Sequence, residues 1–65
     1  MARGYGRDLR RLLLAAGCRF VRQGKGDHEI WFSPMTGRTF TLDAGVELRH
    51  TANGTLKDAG LPKAF

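Results

Sequence analysis

From Arg7 to Ala16 the apolar residues Leu9, Leu12, Leu13 and Ala16 recur at i, i+3, i+4 and i+7, the stripe of an amphipathic helix. Arg7, Arg10 and Arg11 fall off that stripe, and Asp8 sits in the first turn, where the helix dipole favours an acid. Gly17 is the expected stop. Beyond it the period changes to two. Arg19 to Gln23 reads as a strand with Phe20 and Val21 apolar, and Gly24-Lys25-Gly26-Asp27 as a turn. His28 to Phe32 reads as a second strand, Ser33 to Gly37 as a second turn and Arg38 to Leu42 as a third strand. Phe40 and Leu42 are expected inward, Thr39 and Thr41 outward. In the second strand His28, Ile30 and Phe32 share one face, Glu29 and Trp31 the other. Trp31 is assigned to the outward face, with Glu29, the two threonines and an arginine of the first strand. Asp43 to Arg49 is a connection under which Val46 and Leu48 can pack. Thr51 is the expected N-cap of a short helix over Ala52 to Ala59, with Leu56 and Ala59 toward the core. Gly54 inside it costs up to ~1 kcal/mol against Ala. Residues 1–6 are expected to be a loose lead-in.

Helix, three antiparallel strands and helix make an α+β two-layer sandwich with both helices on one sheet face, of the double-stranded-RNA-binding type. The expectation is one domain over residues 1–65. A chain this short buries only about 60% of its unfolded surface, so a site should be a shallow surface rather than a deep cavity.

Charge narrows the partners. Eleven Lys/Arg against six Asp/Glu give a formal charge of +5, which suits RNA, DNA or an acidic protein. The single cysteine, Cys18, allows no internal disulfide and reads as a buried structural thiol in a reducing compartment. With only His28 and His50 at distant positions it makes a poor metal site, so neither metal nor cofactor is expected. The longest apolar run, Leu12 to Ala16, is far too short to span a membrane. It resembles a leader only superficially, and a cytoplasmic protein without membrane contact is expected.

His28 is the residue best equipped for chemistry. Imidazole gains and loses a proton near neutral pH, and the preceding glycine-flanked loop lets backbone approach a phosphate. Lys25, Arg22 and Arg38 are candidate phosphate contacts, Gly26 a candidate backbone contact, and an outward Trp31 a candidate base-stacking platform. RNA cleavage suits this equipment. The 2′-hydroxyl is an internal nucleophile that needs only a proton acceptor, a proton donor and cations on the phosphate. Read alone, His28 is rather a half-buried, hydrogen-bonded histidine at a strand edge, and His50 a capping or solvent-exposed residue before the second helix.

Three groups of residues together resemble the HicA toxins of bacterial HicA/HicB toxin–antitoxin pairs. They are the helix ending in Ala15-Ala16-Gly17-Cys18, the segment Phe20-Val21-Arg22-Gln23 with Gly24-Lys25-Gly26-Asp27-His28, and Leu56-Lys57-Asp58-Ala59-Gly60-Leu61. The resemblance implies a small mRNA interferase that cuts RNA without a metal, with His28 of Gly26-Asp27-His28 as its single catalytic histidine. It further implies a HicB antitoxin that covers the site, and operator DNA bound only through the toxin–antitoxin complex. Asp27 departs from the family, where many members have Ser. Two other readings remain open: a non-catalytic RNA-binding module of the same fold, and a protein-interaction domain that docks an acidic partner.

Overall fold

A computed structural model describes residues 4–65; Arg3 and the first half of the expected lead-in lie outside the described residues. The order is α1 (Gly6–Ala15), β1 (Arg19–Gln23), β2 (His28–Ser33), β3 (Arg38–Asp43) and α2 (Arg49–Asp58), the α+β succession that the periodicity predicts. The strands pair antiparallel in the order β1-β2-β3, so β2 is central and both neighbours are edges.

Leu9 and Leu13 of α1 are fully buried, while Leu12 lies on the flank of the stripe, 36% exposed. Each helix closes on a glycine of positive φ, Gly17 at +94° and Gly60 at +86°. The next residue then bonds back: Cys18 N–H to the Leu13 carbonyl at 2.9 Å, Leu61 N–H to the Leu56 carbonyl at 2.8 Å. Both helices cover the same sheet face. Leu9 and Leu13 of α1 and Ala52 and Leu56 of α2 pack with Trp31, Phe40 and Leu42 in one cluster that also buries Cys18. Ser33 is buried at the end of β2; its hydroxyl donates to the Ala59 carbonyl at 2.6 Å and accepts from the Met35 N–H at 3.2 Å.

The facing of β2 differs from the sequence expectation. Trp31 is 3% exposed and belongs to the core. The cause is register. β2 continues to Ser33, which pairs with Arg38 across residues 34–37, so Trp31 stands opposite Phe40 and Glu29 opposite Leu42. Paired residues share a face, and the face of Phe40 and Leu42 is the one the helices cover. His28, Ile30 and Phe32 therefore lie on the open face with Thr39 and Thr41. Two smaller differences concern the second helix. It starts at Arg49, because the Leu48 carbonyl already accepts the Ala52 N–H at 3.0 Å. Thr51 is thus inside the first turn rather than capping it. Leu48 stays 59% exposed, whereas Val46 packs into the core as expected. Among the described residues, no helix is long and apolar enough to cross a membrane.

Candidate active site on the open sheet face

The open face is three columns deep. Down its middle run His28, Ile30 and Phe32 of β2. On the β3 side they face Asp43, Thr41 and Thr39 in turn. On the β1 side Arg22 stands opposite Ile30 and Arg19 opposite Phe32. A straight β1 would put Arg19 and Arg22 on opposite faces. The register slips between Phe20 and Arg22, a bulge at Val21, and this brings both arginines to one face. Phe20 stays on the other side, edge-on to Trp31 at 6.3 Å between ring centroids.

His28 is exposed at the head of the middle column. Its backbone is held firmly: its carbonyl accepts the Gly24 N–H at 2.8 Å and the Gln23 side-chain amide at 2.8 Å, and its N–H donates to the Lys25 carbonyl at 3.0 Å. The same Gln23 amide donates to the Gly26 carbonyl at 3.1 Å, so a side chain from the start of the turn holds its far end. Gly26 takes φ +61°, the left-handed geometry that glycine adopts without strain. Across the sheet end, the Ala44 N–H donates to the Asp27 carbonyl at 2.9 Å, tying the histidine turn to the segment after β3. There Asp43 accepts the Gly45 N–H at 3.0 Å through one carboxylate oxygen. Asp43 is the acidic residue directly across from His28.

The structure thus brings His28, Lys25 and Gly26 together at one end of the sheet, with Arg22 further along the same face, opposite Ile30. It does not bring Arg38 to them. Arg38 pairs with Ser33 at the other end of β2, about 16 Å away at ~3.3 Å per residue. Trp31 cannot serve as a base-stacking platform, because its ring is enclosed under α1 and its indole N–H donates to Glu29 at 3.0 Å. Glu29 also pairs with Arg10 of α1. The Arg10 hydrogen bond, ahead of the opposing effect of burial, holds its carboxyl below the usual glutamate range. His50 lies exposed in the first turn of α2. Three site residues escape the sequence reading: Asp43, Arg19 and Gln23. Asp43 was legible as the residue a β2–β3 register places opposite His28, had the strand ends been known. The Arg19 position follows from the bulge, which leaves no mark in composition.

Among the described residues, no group of three or more His, Cys, Asp or Glu side chains is arranged to hold a metal ion. An open cleft of about 580 Å³ lies between the start of α1 and residues 44–47, lined by Arg7, Asp8, Arg11 and Glu47 rather than by His28.

A family model described as the HicA toxin of bacterial toxin–antitoxin systems matches residues 6–61, from the first residue of α1 to just past the end of α2. The chain belongs to the HicA toxin family. No curated protein and no solved structure matches it. As a HicA toxin it is the toxin of a toxin–antitoxin pair, and that membership implies an antitoxin partner. The match spans the whole open face, including the histidine turn.

Proposed function

We propose that this HicA toxin is a metal-independent endoribonuclease, an mRNA interferase, with His28 as general acid and base. The observation that carries the reading is an exposed histidine, fixed by its backbone at the head of an open sheet face, with Lys25 in its turn and Arg22 further along the same face, opposite Ile30. His28 takes the proton of a ribose 2′-hydroxyl as that oxygen attacks the adjacent phosphorus. The bond from phosphorus to the 5′-oxygen breaks, and the imidazolium returns the proton to the departing oxygen. The products are a 2′,3′-cyclic phosphate and a 5′-hydroxyl. Lys25 and Arg22 offset the charge on the phosphate, and the Gly26 turn lets backbone approach it. Acid–base help of this kind accelerates a reaction about 10²–10⁴-fold, with charge stabilisation added. DNA lacks the nucleophile and is not cut. Asp43 stands across from the histidine and places a negative charge on the β3 side of it.

The partner is a HicB-type antitoxin whose carboxylates meet Lys25 and Arg22 and close the face to mRNA; operator DNA is reached only through that complex. The test is incubation of wild type and His28→Ala with labelled single-stranded RNA. Wild type should leave cyclic-phosphate ends and the variant intact RNA. Equal cleavage by both would remove His28 from the mechanism. Retarded but uncut RNA with wild type would favour the non-catalytic binding module.

A further inference from the structure

On the open face, farthest from His28, the Arg19 guanidinium lies over the Phe32 ring, 4.6 Å from its centroid. The two residues are direct cross-strand partners. Arg19 is exposed and Phe32 half-buried, so the ring supports the guanidinium from below and leaves its outer plane to solvent. A planar cation held over an aromatic ring is pre-positioned to stack a nucleobase, and the cation–π contact fixes it without another ligand. We infer that Arg19 on Phe32 is a base-stacking subsite of the open face, occupied by an unpaired RNA base away from the scissile phosphate. The inference rests on the ribonuclease reading and adds to it a contact with an unpaired base that flanks the cut.

Two further observations favour an RNA strand as the occupant. His28 and Phe32 are four residues apart on one strand, about 13 Å at ~3.3 Å per residue, so the subsite contacts a flanking nucleotide and not the reacting one. Charge runs along the path: Arg22 stands between them opposite Ile30, so a phosphate backbone crossing from His28 to Arg19 stays beside cations. Base-paired RNA presents no free base plane and does not fill the subsite.

The experiment measures binding of a fluorescent eight-nucleotide 2′-O-methyl RNA, which has no free nucleophile and stays intact. The wild type is compared with Arg19→Lys and Arg19→Ala. Loss of one stack weakens binding by about five- to a hundredfold. Both variants should show such a loss, because lysine restores the charge but not the plane. An oligonucleotide with abasic sugars throughout should bind wild type and Arg19→Lys alike, and the duplex form should bind wild type more weakly than the single strand. Wild-type affinity in Arg19→Lys, or equal wild-type affinity for abasic and native strands, would overturn the subsite. These readings do not depend on cleavage, so they stand apart from the outcome for His28→Ala.

Discussion

His28 and Asp43 face each other from β2 and β3, and their unequal anchoring argues for different roles. The histidine is gripped by its backbone and presents its ring. Asp43 holds the Gly45 N–H through one carboxylate oxygen and carries its charge on the strand opposite the histidine. Asp43→Asn preserves an acceptor for Gly45 and removes only the charge. Its expected result is an unchanged fold with kcat for RNA cleavage lowered about tenfold, equivalent to ~1.4 kcal/mol of barrier. KM should not rise, since a negative charge near the phosphate has been removed. A raised KM with unchanged kcat, in steady-state kinetics, would rule the role out. The residue type and position of His28 are visible in the sequence, because a lone histidine after a glycine turn needs no tertiary information to be noticed. Asp43 is not, since its meaning comes from the strand it stands opposite.

Strands and helices in this fold are set by a few junctions. Ser33 is fully buried and joins the end of β2 to the carbonyl that closes α2. Ser33→Ala leaves the Ala59 carbonyl and the Met35 N–H without that partner, and should cost about 1–3 kcal/mol in denaturant unfolding. A cost below experimental error would mean that water replaces the hydroxyl. At the other end, α1 begins against the segment after β3. A Cβ on Gly6 would lie 2.4 Å from the Ala44 carbonyl oxygen, far inside contact distance, and no flexible side chain is there to yield. Gly6→Ala should therefore destabilise by more than the few tenths of a kcal/mol typical of surface changes. Unchanged thermal stability would show that α1 can shift as a unit. Element types and most bounds were legible: β1 and the starts of β2 and β3 agree with the periodicity. The facing of β2 was not. Its sequence is apolar on both faces, with Trp31 on one and Ile30 and Phe32 on the other. Ending it at Phe32 lengthens the turn by one residue, pairs Ile30 with Phe40 and turns every side chain over.

At the scale of the whole molecule the sheet separates two tasks. The covered face carries Trp31, Phe40, Leu42 and the Arg10–Glu29 pair; the open face carries Arg19, Arg22 and His28. Glu29 has a folded-state carboxyl held below its ordinary value, so its contribution to stability is fully present above about pH 4.3. That contribution is lost as pH falls from there through the lower folded value. Arg10 is 40% exposed, so solvent screens the pair and the effect is modest. Acid unfolding of Glu29→Gln should start from lower stability at neutral pH and decline less steeply below about pH 4.3 than wild type. Parallel curves would place the acid sensitivity elsewhere. The open face, for its part, predicts RNA affinity that falls linearly in log–log form with salt, each neutralised phosphate adding about 0.7 to the slope for single strands. Arg22→Gln should reduce that slope by about 0.7 without changing preference among RNA sequences.

The sequence by itself determined the helix–strand–strand–strand–helix order, the basic character and the histidine on its glycine turn, because these depend on period, composition and local turn chemistry. Only the tertiary structure decided which sheet face the helices take, and with it the burial of Trp31, the separation of Arg38 from the histidine and the gathering of Arg19 and Arg22 onto one face. Those follow from strand register and from one bulged residue. A period-two pattern names the members of each face but not which face is covered; pairing across the hairpin chooses.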